Sequence, residues 1–223
     1  MNETLALDVS EETRAQQAYR VIEEMIVTLR LPPGCRISEN SISNKLGLGR
    51  TPVREAMQRL AREGSLTIMP RAGAIVSEID ITDQFKLIEV RRELERVIAA
   101  RAARLAGQAE KTQFISLAER FDHASHENDE MIFIAADREF NHLVVATADN
   151  KYAAAAMAPI QAQTRRFWFL NFNKFGDLKK VSAMHADIAR AIAANDADGA
   201  RAASDALIDY VEEYTMKTLQ ALI

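Results

Sequence analysis

Arg50, Thr51, Arg54 and Gln58 are spaced so that one flank of an α-helix carries all four. Val53, Ala56, Met57 and Leu60 fill the opposite stripe, so the polar flank is the one left facing outward. A guanidinium carries two parallel N–H donors, a geometry that meets O6 and N7 of guanine or two oxygens of a phosphate. Two such groups and a glutamine near the start of one helix suit the reading of a nucleic acid. The free N–H groups and macrodipole of the helix N-terminus add attraction for phosphate. Further along, Arg59 lies four residues from both Glu55 and Glu63, and with Arg62 it reads as a solvated, ion-paired face.

Several short elements must hold that flank in place. Thr13 to Leu31 reads as a helix with Ala18, Val21, Ile22, Met25, Ile26 and Leu29 on its apolar stripe, stopped by Pro32-Pro33-Gly34. A second helix opens at Ser38, whose hydroxyl is placed to cap Ser41, and closes at Gly47. The basic helix comes shortly after, with Thr51 expected as its N-cap, Pro52 at its first position and Gly64 at its end. "SLTIMP-RAGA-IVSEI" then gives two β-branched runs about a basic glycine turn, hence a hairpin with Arg71 at its tip. Three helices and a hairpin in this order form a winged helix-turn-helix, in which the start of the third helix enters the major groove.

The charge obeys the same division. The chain of 223 residues has a net charge of −4. Residues 1–78 balance ten basic against ten acidic side chains, whereas residues 79–223 carry 18 basic and 22 acidic ones. Within the first part, residues 36–71 hold seven basic and three acidic side chains, a patch for one anionic partner. Four of the five prolines and five of the eight glycines also fall in the first part. The remainder of the chain is alanine-rich and breaks at "LAGQAEK", "HENDE", "TADNK", "NFNKFGD" and "ANDADG" into about six helices. The expected architecture is mostly α, with a winged helix-turn-helix over 1–78 and an all-α antiparallel bundle over 79–223. Thr82 or Asp83 is the expected first cap of the bundle, and residues 1–12 are expected to form a flexible arm.

No run is apolar enough to span a membrane, and the polar, acidic start lacks the order of a secretory signal, so the expected place is the cytoplasm. The single cysteine, Cys35, forms no internal disulfide and reads as an incidental thiol. No nucleophile–base motif and no phosphate loop is present, which argues against an enzyme. Phe114, Phe121, Phe133 and Phe140 read as bundle core.

"PPGCRISENSISNKLGLGRTPVREAMQRLAREGSLTIMPRAGAIVS", and above all its Arg50–Ala56 core, resembles the DNA-binding domain of GntR-type bacterial transcription regulators. "EVRRELERVIAARAA", "ADREFNHL" and "MHADIARAIAANDADGARAA" are similar to the FCD-type helical effector domain of the FadR subgroup. The resemblance implies a homodimeric repressor on an inverted-repeat operator in double-stranded DNA, modulated by a small organic acid. By position Arg50 and Arg54 match the base- and phosphate-reading arginines, and Thr51, Gln58, Arg71 and Gly73 complete the expected contacts. A further arginine of the family is Asn40 here, which keeps hydrogen bonding but loses charge.

The family pattern also places a metal inside the bundle, on an aspartate, a histidine four residues later and two more histidines. Asp137 and His185 match two of these positions, while Asn141 and Leu207 stand at the others. Leucine cannot ligate and an asparagine oxygen is a weak donor to transition metals, so no cofactor is expected. His142 points about 100° away from Asn141's direction, and His123 and His126 are expected to face solvent. The implied effector site is a metal-free pocket of Asp137, Asn141 and His185, with Arg91 and Arg165 or Arg166 supplying positive charge. The alternatives are metal-dependent effector binding through Asp137 and His185, a hydrogen-bonded pair with no ligand role, and an enzyme using these two residues.

Overall fold

A computed structural model describes residues 13–221, apart from the side chains of 172–175. The expected arm of residues 1–12 lies outside the described residues. The chain divides into two compact units, residues 1–79 and 80–223.

The first unit starts with helix α1 (Arg14–Val27), capped by Thr13 in a reciprocal capping box with Gln16. It ends earlier than its apolar stripe suggests. Leu29 takes a left-handed φ of 58°, and the Leu31 N–H reaches back to the Met25 carbonyl at 2.8 Å. The residue before a proline is held out of helical geometry, so the chain has to turn before Pro32. Strand β1 (Arg36–Ile37) comes next, then α2 (Glu39–Leu46), capped by Ser38 as expected.

Helix α3 (Arg50–Arg62) begins ahead of its expected start. Gly49, not Thr51, is the N-cap, so Pro52 is the third helical residue. Its missing N–H still falls among the first-turn donors that have no helical partner, and the Thr51 side chain is released to face outward. Strands β2 (Leu66–Met69) and β3 (Gly73–Val76) make the hairpin. The sheet has three strands rather than two, because β1 pairs antiparallel with β3, Arg36 opposite Ile75. Ile22, Ile26, Val53, Met57, Leu60, Leu66 and Val76 close one core between the helices and this sheet.

Gly73 is what allows that third strand to approach. Its φ is +89°, and a Cβ there would stand 2.2 Å from the Ile37 carbonyl oxygen. Only glycine tolerates both conditions.

The second unit contains α4 (Ile81–Leu105), α5 (Gln108–Glu127), α6 (Glu130–Ala148), α7 (Lys151–Phe175), α8 (Leu178–Ala193) and α9 (Ala197–Gln220). Asp80, ahead of the expected Thr82 or Asp83, caps α4 by taking the Thr82 N–H at 2.7 Å. Asp129, Asp177 and Asp196 cap α6, α8 and α9 in the same way. Asn128 and Asp149 end α5 and α6 in left-handed geometry, which short polar side chains tolerate. Phe114, Phe121, Phe133 and Phe140 are all buried in the bundle core.

Candidate functional site

The first site is the outward flank of α3. Arg50 and Arg54 are 61% and 54% exposed in their side chains. Thr51, Gln58 and, at the start of α2, Asn40 are exposed as well. Val53, Ala56, Met57 and Leu60 are buried on the other side, as the spacing requires. The turn between the two helices is fixed by Gly47 at φ 64° and by the Ser43 hydroxyl, which donates to the Leu48 carbonyl at 2.5 Å.

Arg54 carries a contact that sequence reading missed. Its Nε and Nη2 donate to the two carboxylate oxygens of Glu39, both at 2.8 Å. Arg50 approaches the same carboxylate at 3.7 Å. The guanidinium of Arg54 holds the Glu39 carboxyl below its ordinary range through that hydrogen bond. Helical spacing cannot reveal a pair fifteen residues apart.

Arg59 plays a different part. Its guanidinium lies 3.7 Å from the centre of the Tyr19 ring, and its Nε donates to Glu63 at 2.9 Å. The Tyr19 hydroxyl donates to Glu63 at 2.7 Å, so these three side chains tie α1 to α3. Burial first, and then the charge of Glu23, push the Tyr19 hydroxyl well above its ordinary pKa.

At the hairpin tip the Ala72 N–H donates to the Met69 carbonyl at 3.0 Å, around Pro70 and Arg71. Arg71 has φ 65°, the left-handed value that the third residue of a type II turn requires. Its side chain is exposed.

The second site is a cavity of about 70 Å³ inside the bundle. One ordered water needs roughly 10–15 Å³ of such space, so the cavity has room for a small organic molecule. Arg91, Asp137, Asn141, Gln161, Arg165 and His185 form its polar part. Phe133, Trp168, Leu207, Val211 and Tyr214 contribute to its apolar part. A smaller recess of about 30 Å³ shares Arg91, Asn141, Gln161, His185 and Leu207 with it.

Asp137, Asn141, Gln161, Arg165 and His185 form one network. Asn141 Nδ2 donates to Asp137 Oδ1 at 2.9 Å, and Gln161 Nε2 donates to Asn141 Oδ1 at 3.0 Å. His185 Nδ1 lies 2.7 Å from the Val181 carbonyl, which can only accept, so that nitrogen carries a hydrogen. His185 Nε2 faces Asp137 Oδ1 at 3.3 Å, and Arg165 Nε stands 3.8 Å from Oδ2. Burial alone raises the Asp137 pKa. The His185 hydrogen bond, with the charges of His185, Arg165 and Arg91, outweighs burial and lowers it. Phe121, Phe133 and Phe140 surround the His185 ring at centroid distances of 5.1, 5.5 and 5.8 Å.

Arg91 is positioned by its own helix. Its Nε donates to Glu95 at 2.6 Å, and Ser204 donates to the other oxygen of that carboxylate at 3.2 Å. The (i, i+4) spacing of Arg91 and Glu95 was legible, but their 11% and 14% side-chain exposures were not. Gln161 and Tyr214 carried no signal of their own. Of the two candidate arginines on α7, Arg165 lines the cavity, whereas Arg166 is fully buried and donates to Gln163 at 3.0 Å. His123, His126 and His142 are exposed.

The residues present do not suit a tightly held metal. Asp137 and His185 meet, but Leu207 offers no donor, and the Asn141 oxygen is engaged by Gln161 while its nitrogen faces the carboxylate.

Residues 14–76 match the family described as bacterial regulatory proteins, gntR family, and residues 86–210 match the FCD domain. The HTH-type transcriptional repressor RspR of Escherichia coli K12 is 26% identical over 198 residues, which are 89% of this chain and 87% of that protein. An HTH-type regulator from the ttuE–ttuC' intergenic region of Agrobacterium vitis is 35% identical over 144 residues, 63% of this chain and 84% of that one. The solved structure of E. coli McbR/YncC superimposes with a TM-score of 0.80 at 18% identity, covering 93% of this chain and 99% of that one, a likeness of fold. The RspR and A. vitis proteins are named as transcription regulators, and the family is one of regulators rather than enzymes. The chain belongs to the gntR family of bacterial transcription regulators, a DNA-binding winged helix-turn-helix joined to an FCD domain.

Proposed function

We propose that the protein is a homodimeric repressor that binds an inverted-repeat operator and whose DNA affinity is set by a small organic acid in the bundle cavity. The observation that carries the DNA reading is the flank of α3, where Arg50, Thr51, Arg54 and Gln58 are all exposed while the opposite stripe is buried. In this reading Arg54 contacts a guanine edge and Arg50 a phosphate. Asn40, Thr51 and Gln58 add neutral hydrogen bonds, and Arg71 and the backbone at Gly73 reach the adjacent groove. Such a protein acts on the chromosome and so works in the cytoplasm.

For the effector, two guanidinium groups, Arg91 and Arg165, line a cavity whose carboxylate is already matched by donors. A ligand carboxylate is the natural partner of a guanidinium fork, and the apolar wall accepts the rest of a small acid. Occupancy shifts the population between conformations of the dimer that differ in operator affinity.

The test is selection of duplexes from a random pool, then titration of the enriched sequence. Arg54→Ala should weaken specific binding about tenfold or more and relax the guanine preference at one position, and Arg50→Ala should reduce the salt slope by about one. An unchanged affinity and specificity in the first, with an unchanged slope in the second, would remove α3 from the groove.

A further inference from the structure

We propose that Glu39 is a positioning residue for base readout: its carboxylate holds the Arg54 guanidinium by one edge and aims the opposite edge at a guanine. The inference rests on the reading that Arg54 contacts bases, and it names how that contact is made selective.

A guanidinium has two edges that can make a two-point contact. One is formed by Nε and Nη2, the other by Nη1 and Nη2. Glu39 takes the first edge, at 2.8 Å to each of its oxygens. The second edge is left with its donors directed along the axis of the side chain. That edge remains free of Glu39 and has the spacing to meet O6 and N7 of guanine.

Glu39 is itself well placed to act as a fixed support. It is the first residue of α2, directly after the Ser38 cap, where Ser38 accepts the Ser41 N–H and Ser41 accepts the Ser38 N–H, both at 3.1 Å. A carboxylate suits the positive end of that helix. The Ser43–Leu48 bonds then fix the turn from α2 into α3, which sets the separation of Glu39 and Arg54.

Arg54 is too exposed for the pair to matter much to folding. What the pair supplies is direction. A free arginine samples many rotamers and loses that freedom on binding, whereas a side chain already held in place loses less. A free guanidinium also meets phosphate as readily as a base, so orientation favours the operator over other DNA. Arg50 has only the longer 3.7 Å approach to Glu39 and keeps the freedom suited to a phosphate contact.

The removal of Glu39 therefore has opposite effects on two kinds of DNA. Loss of a negative charge near the phosphates strengthens or leaves unchanged the binding to any duplex, while loss of the support weakens discrimination. The experiment compares the full-length protein with Glu39→Gln and Arg54→Ala. The probes are a duplex enriched from a random pool by the unmodified protein and a scrambled duplex of equal length. Guanines of the enriched duplex are replaced one at a time by 7-deazaguanine, which lacks the N7 acceptor. Glu39→Gln should lower the enriched-to-scrambled affinity ratio about tenfold, with scrambled binding unchanged or tighter. The 7-deazaguanine position that is silent in Arg54→Ala should lose most of its penalty in Glu39→Gln as well. Glu39→Asp, one methylene shorter, should show an intermediate ratio, and a circular dichroism melt verifies that each variant is folded at the assay temperature.

An enriched-to-scrambled ratio within about twofold of the parent in Glu39→Gln, with the 7-deazaguanine penalty intact, would overturn the proposal. If Arg54→Ala also leaves the ratio and the penalties unchanged, the reading of α3 fails instead.

Discussion

Asn141 donates its amide nitrogen to the same Asp137 oxygen that His185 Nε2 faces, at 2.9 Å and 3.3 Å respectively. That oxygen lies between an amide N–H and an imidazole nitrogen at the centre of a network, and Gln161 extends the network by holding the far side of Asn141. The resemblance read from the sequence places metal ligands at positions 137, 141, 185 and 207, and here Asn141 and Leu207 stand at two of them.

That difference is testable by gain of function. The double variant Asn141→His, Leu207→His should bind Zn²⁺ about tenfold to hundredfold more tightly than the parent in a chelator competition titration. Both positions line the cavity beside His185, and Asp137 is one helical turn from position 141. Equal Zn²⁺ affinity in parent and variant, with the variant folded, would mean that these positions do not converge.

The Asp137 carboxyl has a lowered pKa, so it stabilises the folded bundle at pH values above its unfolded pKa of about 3.9. That contribution is lost as pH falls through the lowered folded value. Asp137→Asn should therefore destabilise the protein by about 1–3 kcal/mol at pH 7, a figure reduced for its 16% exposed side chain. The gap between parent and variant should narrow as the pH falls below about pH 4. Urea melts across that range measure it. A gap that widens in acid has the wrong sign for this assignment.

Trp168 is the single tryptophan of the chain, and it lines the cavity 5.1 Å from the Tyr214 ring. Filling the cavity with an organic acid should change its emission directly. A panel of mono-, di- and tricarboxylic acids, titrated against parent and Arg91→Ala, should give a saturable change for at least one acid. That response should be lost or weakened about tenfold or more in the variant. The same response in both proteins would exclude Arg91 from carboxylate binding.

Gly73→Ala tests the sheet. The new Cβ would meet the Ile37 carbonyl oxygen at 2.2 Å in a backbone of φ +89°, so either β1 separates from β3 or the hairpin shifts. A loss of about 2 kcal/mol or more in the stability of the first unit is expected from chemical denaturation. A loss under about 0.5 kcal/mol would show that β1 yields easily.

Much of this molecule is written in local spacing. The buried stripe Val53, Ala56, Met57 and Leu60, the Ser38 cap, the Gly47 stop and the hairpin around Arg71 all come from residues a few positions apart. Helix ends were less legible where two caps compete. Gly49 won over Thr51 because Pro52 fits any of the first helical positions, and α1 stopped at Val27 because the prolines beyond it forced an earlier turn.

The sequence by itself determined which faces turn inward and which helix carries the exposed guanidinium groups. Side-chain periodicity is a property of one helix or strand, and the glycine and proline stops act within a few bonds. Only the tertiary structure decided that Arg59 stacks on Tyr19, that Glu39 holds Arg54, and that Gln161, Trp168 and Tyr214 close a cavity around Asp137 and His185. Periodicity fixes that a face is buried but not which other face it meets, so contacts between distant residues exist only once the elements have packed.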